Sequence, residues 1–156
     1  MVSVARFEFH HEWALDAPLP RVFGTLADVE RYAAWWPQVR TVERIDEQSG
    51  RTAVRSFLPY TLVLVLRREV EDEASSVLRV AVEGDLEGWC QWQLRPASGG
   101  GGTVATFDQV AVVTPGLLAR TARLTGPLLR ANHAWMMRSG RAGLAAYLGR
   151  HGDPPR

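Results

Sequence analysis

Residues 115–149 read PGLLARTARLTGPLLRANHAWMMRSGRAGLAAYLG and hold no acidic residue. Wound at about 100° per residue, Arg120, Arg123, Arg130, Arg138 and Arg141 fall within an arc of roughly 80°. The opposite side carries Leu118, Thr125, Leu128, Leu129, Asn132, Met136, Gly143 and Tyr147. The stretch therefore predicts one long amphipathic helix with a wet, basic side and a side to bury. Gly126-Pro127 is where such a helix is expected to kink. What it is buried against decides the fold.

The residues before it supply a sheet. Phe7, Phe9, His11, Trp13 and Leu15 alternate with Glu8, His10, Glu12 and Ala14, a period-2 strand with one buried face. Asp16-Ala17-Pro18 ends it, with Asp16 placed to cap a helix and Pro18 suited to its first turn. Two short helices follow, one around Val22–Ala27 and one across Val29–Trp35, stopped by Pro37. Strands are then predicted over Val39–Ile45, Thr52–Leu58, Tyr60–Val70, Val77–Glu83, Leu86–Leu94 and Thr103–Val113. Turns fall at Gln48-Ser49-Gly50, Asp72–Ser76, Gly84-Asp85 and Gly99–Gly102, so consecutive strands form an antiparallel meander. A sheet of this length must bury one face, and the last helix is the element long enough to cover it. A twisted sheet wrapped around one helix leaves a gap between them. The expected fold is α+β, a curved antiparallel sheet of about six to seven strands around a C-terminal helix, with an internal cavity.

The 156 residues fit one domain, over 1–150, with 151–156 as a flexible tail. All 18 basic residues are Arg, and the net charge of +1 hides an asymmetry. Residues 1–114 carry 11 Arg against 16 Asp plus Glu, whereas residues 115–152 carry 6 Arg and no acid. Such a basic face can meet an anionic partner or simply be solvated. A pI near 8.0 is too mild for a nucleic-acid protein, and no nucleic-acid partner is expected. The single cysteine, Cys90, precludes an internal disulfide and fits a reducing compartment. With no apolar run near the roughly 18 residues of a membrane span and no signal-like N-terminus, the reading is cytoplasmic.

The segment LDAPLPRVFGTLADVERYAAWWPQV (Leu15–Val39) and the later GDLEGWCQWQL with GGTVATFDQV (Gly84–Val110) resemble the START-like, helix-grip superfamily called SRPBCC. By pattern the chain is most similar to the bacterial polyketide cyclase/dehydrase-like and lipid-transport-like family, over residues 5–149. The resemblance implies a sheet gripping the C-terminal helix, two short helices closing one end, and a cavity for a hydrophobic guest. It spans aromatases, cyclases, hydrolases and carriers of lipids or quinones, so it leaves the function open.

No Gly-rich phosphate loop, zinc pattern or nucleophile elbow is present, and no cofactor is expected. His10 and His11 point to opposite faces of a strand and cannot easily share an ion, so no metal site is expected. His11, on the apolar side of its strand, is the candidate general acid–base. Arg55, alternating with Ala53 and Phe57, would stabilise an oxyanion if it faced inward, and the resemblance implies that related cyclases place an Arg in their cavity. Tyr60 would add a hydroxyl at the mouth. For ligand binding the candidates are Trp92 as an aromatic wall, Gln109 as an orienting donor, and Leu129, Asn132 and Met136 on the buried helix face. His133, on the flank of that face, reads as structural. Three functions remain open: a carrier or receptor for a small hydrophobic or aromatic ligand, polyketide-, lipid- or quinone-like; a polyketide cyclase/aromatase or dehydratase using His11, Arg55 or Tyr60; or an interaction protein using the basic helix face. Either a monomer or a homodimer fits.

Overall fold

The computed structural model describes residues 6–55, 61–115 and 126–150. Seven strands form one antiparallel sheet in the order β1-β7-β6-β5-β4-β3-β2. They are β1 (Arg6–Leu15), β2 (Val39–Arg44), β3 (Ser49–Arg55), β4 (Thr61–Asp72), β5 (Val77–Gly84), β6 (Leu86–Pro96) and β7 (Thr103–Val113). Strands β2 to β7 run as a meander, and β1 closes onto β7 with Phe9 opposite Gln109 and Trp13 opposite Ala105. Register shifts between Val39 and Thr41 and between Arg68 and Val70 interrupt the ladders. Such bulges bend a strand and increase its twist, which curves the sheet toward its inner face.

Between β1 and β2 lie helix α1 (Leu19–Ala27) and a 3-10 turn (Val29–Ala34). The cap of α1 is Pro18, with no side-chain capping bond, and Pro20 occupies its first turn. The expected Asp16 cap is thus displaced along the chain, because proline at an early helical position loses no hydrogen bond. The β2–β3 turn also sits earlier than the Gln48-Ser49-Gly50 expected from sequence. The Asp46 carboxylate accepts from the Gln48 amide at 2.8 Å, which tightens the turn and leaves Ser49 and Gly50 already on β3.

Helix α2 (Gly126–Arg150) lies across the inner face. Its buried residues are Asn132, Met137, Gly140, Leu144 and Leu148. The burial centre is therefore turned from the Asn132–Met136–Gly143–Tyr147 line read from sequence. Leu128 is 36% exposed, and Met136 and Tyr147 are half-buried. The physical reason is the Trp35-Trp36-Pro37 segment, which packs directly onto α2. A methyl built on Gly140 would come within 2.5 Å of the Trp36 ring, and one on Gly143 within 1.8 Å of the Trp35 carbonyl oxygen. Only hydrogen at these two positions admits so close an approach. The Trp36 indole N–H donates to the Met136 carbonyl at 3.0 Å, locking the contact. At the far end, the Arg21 guanidinium of α1 donates to the Leu148 carbonyl, one of the helix's last carbonyls and short of an intrahelical donor.

Residues 116–125 lie outside the described residues, and with them Arg120 and Arg123 of the basic stripe and the approach to the kink expected at Gly126-Pro127. Arg130, Arg138 and Arg141 are exposed, and Arg130 lies over the rings of Phe7 and Phe9, 5.2 and 5.9 Å from their centroids. Two apolar clusters result. The larger gathers Trp13, Phe23, Trp35, Trp36, Trp92, Met137 and Leu144 beneath α1 and the C-terminal half of α2. The smaller gathers Val54, Leu64 and Val82 on the inner face of β3–β5.

The glycine contact yields a prediction. Gly→Ala in a helix ordinarily stabilises by about 1 kcal/mol. Gly143→Ala is expected to destabilise by about 2 kcal/mol or more, because the added methyl meets backbone that cannot rotate away. Gly149→Ala, with nothing within 4 Å, is expected to be neutral or stabilising. Urea unfolding of both variants measures the difference.

Candidate ligand cavity

Between the sheet and α2 lies a cavity of about 240 Å³. Its floor is the inner face of the sheet, where alternation sends one residue in two inward. Cross-strand register assembles these residues into rows. Phe9, Gln109 and Cys90 form one row across β1, β7 and β6, and Phe107 and Trp92 form the next, which β1 continues beyond the cavity with His11. On β3 and β4 the inward residues are Thr52, Val54, Leu62, Leu64 and Leu66. The roof is one stripe of α2, Leu129, Asn132, His133, Met136 and Met137. Tyr32 and Trp36 close one end.

Among the described lining residues there is no Asp or Glu. The two described lining arginines are at ion-pair distance from acids, Arg68 from Glu71 at 3.5 Å and Arg79 from Glu69 at 3.8 Å, and Arg79 also covers the Trp89 ring. The Thr52 hydroxyl donates to the Thr41 carbonyl at 2.9 Å, and the Tyr32 hydroxyl to the Leu26 carbonyl at 2.6 Å. Burial pushes the Tyr32 hydroxyl up and the Cys90 thiol up to about 12, so both are neutral at physiological pH.

The polar centre lies where α2 crosses β1 and β7. The His133 Nε2–H donates to the Gln109 amide oxygen at 2.8 Å. Its ring stacks on Phe9 with centroids 3.6 Å apart and stands 5.4 Å from the His11 ring. One residue earlier, the Asn132 amide nitrogen donates to the Met136 sulfur at 3.7 Å. Two buried atoms here have no partner, Asn132 Oδ1 and His133 Nδ1. Burial holds His133 far below the ordinary 6.5, at about 3, with His11 as a lesser cause. His11 is also held low, first by burial and then by His10. On the outer face His10 moves up through its hydrogen bond to Asp108.

Trp92, Gln109, Leu129, Asn132 and Met136 all line the cavity. The three expected catalytic residues do not converge. His11 is half-buried beside His133 but is not part of the lining. Arg55 is exposed and points away from the cavity, a correction to the inward position considered from sequence. Strand β3 faces inward through Thr52 and Val54, paired with Leu64 and Leu62 on β4, so Arg55 falls on the opposite phase. Tyr60 lies outside the described residues. His133, read as structural from sequence, lines the cavity beside Gln109. Its signal is Gln109, a polar residue on an apolar strand face that must find a buried partner.

Buried neutral His133 has a stability consequence. The unfolded chain takes up the proton near pH 6.5, and the folded chain not until about pH 3. Its contribution is whole above pH 6.5 and is lost as pH falls through that window. The lowered carboxyls of Asp46 and Asp72 add losses only at more acid pH, and the raised, exposed His10 acts in the opposite sense. Between pH 7 and 4.5, wild type is expected to lose stability relative to His133→Phe by up to about 1.4 kcal/mol per pH unit. Urea unfolding at each pH reads the difference, and parallel curves would contradict a buried neutral histidine.

Similarity to known proteins agrees with this geometry. The family model described as polyketide cyclase / dehydrase and lipid transport matches residues 15–132. No protein of curated function matches the chain in sequence. Among solved structures, the aromatase/cyclase Zhui from Streptomyces sp. R1128 is similar at 20% identity, over 94% of this chain and 95% of that one, with a TM-score of 0.78. A START superfamily protein from Mycobacterium smegmatis is 14% identical over 93% and 99% of the two chains, with a TM-score of 0.75. A protein from Thermus thermophilus is 20% identical over 90% and 99%, with a TM-score of 0.70. At these identities the solved structures establish a shared START-like, helix-grip architecture, and the family match covers most of the chain. The protein belongs to the polyketide cyclase / dehydrase and lipid transport family.

Proposed function

We propose that the protein binds a small hydrophobic, ring-bearing ligand, of polyketide-, lipid- or quinone-like character, between the sheet and α2. The observation that carries this reading is a 240 Å³ cavity whose lining holds no carboxylate among the described residues. That volume lies between the roughly 150 Å³ that accepts benzene and the 300–1,000 Å³ of drug-sized sites. Phe7, Phe9, Trp36, Trp92 and Phe107 supply flat aromatic walls, and Met136 and Met137 a wall that adapts to shape. A cavity of this kind left empty forfeits dispersion contacts on every side, and an apolar guest restores them.

Binding is favoured over cyclase or aromatase chemistry. Enolate chemistry needs proton-transfer groups that titrate near neutrality at the ligand. His133 titrates near 3, His11 is also held low, and Arg55 is exposed. The similarity to an aromatase/cyclase is of fold and does not carry its chemistry to these residues.

The test is titration with N-phenyl-1-naphthylamine, a neutral fluorophore that brightens in apolar surroundings. Micromolar, saturable, one-site binding is expected. Val82, 3% exposed and on the cavity wall, provides the control. Val82→Phe places a ring in the ligand's space and is expected to weaken binding at least about tenfold, or about 1.4 kcal/mol. Unchanged affinity in that variant would move the binding site out of the cavity and overturn the reading.

A further inference from the structure

Resting on the cavity-binding reading, we infer that the guest enters and leaves between the 3-10 turn and the β2–β3 hairpin, with residues 28–31 as a hinged strap and the Glu30–Arg44 ion pair as its clasp. The continuity of two spaces carries this. A second, polar space of about 280 Å³ lies between the 3-10 turn and the hairpin. Val29, Val42, Thr52, Leu66, Arg68 and Val80 line both it and the cavity, so one runs into the other. Asp46, Glu47, Gln48 and Ser49 line only the outer space. The path therefore grades from a wet mouth through a mostly apolar neck to the apolar interior.

Both walls of this passage are lightly held. On one side, Asp28, Glu30 and Arg31 are exposed and Val29 is half-buried. The chain on either side of them is fixed, by Leu26 in the core and by Trp35 and Trp36 on α2. The Tyr32 hydroxyl donates to the Leu26 carbonyl, which ties the two ends of the strap to each other. Residues 28–31 can swing outward without disturbing those anchors, and a single short 3-10 turn has weaker hydrogen bonds to resist the motion than an α-helix. On the other side, β2 is an edge strand with no buried residue, paired only with β3. Across the mouth, Arg44 Nε lies 3.4 Å from a Glu30 carboxylate oxygen, with both side chains largely exposed. An ion pair so exposed holds weakly, so it closes the mouth without locking it. Gating by a small surface segment of this kind sets the rates of entry and release and leaves the affinity to the interior.

The experiment closes the passage reversibly. Glu30→Cys/Arg44→Cys is clamped with 1,2-ethanediyl bismethanethiosulfonate, a short linker that dithiothreitol removes, and N-phenyl-1-naphthylamine binding is followed by stopped flow. Glu30→Cys treated alike is the control, and native Cys90, held protonated by burial, stays unreactive. Clamping is expected to slow association and dissociation alike, at least about tenfold, with Kd within about twofold because neither residue lines the cavity. Dithiothreitol is expected to restore both rates. Rates unchanged by the clamp overturn the passage and leave the cavity reading standing. Slowed association with unchanged dissociation also overturns it, because the linker then obstructs the binding site itself. Absence of saturable binding in the wild type overturns the cavity reading and this one with it. Should the double variant fail to fold, Glu30→Ala decides: both rates are expected to rise about two- to threefold at constant Kd, and rates equal to wild type overturn the inference.

Discussion

The contact between Trp35-Trp36 and α2 is the constraint on which the rest of the structure depends. Two glycines one turn apart, Gly140 and Gly143, let an indole ring and a backbone carbonyl approach the helix where a methyl would not fit. The indole N–H of Trp36 then bonds the Met136 carbonyl. Because that carbonyl lies one turn before Gly140, the same turn of helix that is thinned by glycine is also pinned by a hydrogen bond. With the C-terminal end fixed by Arg21 on Leu148, half of α2 is seated firmly on the large cluster. The other half crosses β1 and β7 through His133, and the cavity lies beside that crossing.

Polar groups are distributed to suit an apolar interior. Inward-facing Tyr32 and Thr52 donate to nearby backbone carbonyls. Arginines at the wall sit beside acids. The acidic partners of exposed arginines and of His10 lie on the outer face or the rim, as with Glu12 to Arg95 and Asp108 to His10. Among the described residues the buried polar atoms without a partner are Trp35 Nε1, Gln38 Oε1, Asn132 Oδ1 and His133 Nδ1. The last two belong to neighbouring residues of α2, beside Gln109.

Much of this is legible in the residues. The alternation of Phe7 to Leu15 identifies a half-buried strand, and β1 shows that face inward. Turn residues separate the meander strands, and an uninterrupted apolar stripe marks the covering helix. Gln109 and Asn132 stand out as polar side chains on apolar faces, and both line the cavity. What sequence does not resolve is phase. A period-2 strand has two possible inner faces, and β3 carries Ala53 on one and Val54 on the other, so only pairing with Leu62 and Leu64 decides. The helix has the same ambiguity in rotational form. A stripe drawn opposite the arginines places Gly143 and Tyr147 at its centre, whereas packing against Trp35-Trp36 brings Leu144 and Leu148 there. His133 reads as structural in the sequence because its partners lie on β1 and β7, more than 20 residues away.

The central claim is that α2 and the sheet enclose one specific apolar site. A crystal structure of the protein with bound N-phenyl-1-naphthylamine tests it most directly. The account predicts the ring systems between Trp92 and Leu64 on the floor and Met136 on the roof. A cavity filled by its own side chains, with the ligand seated on the outer surface, would contradict it.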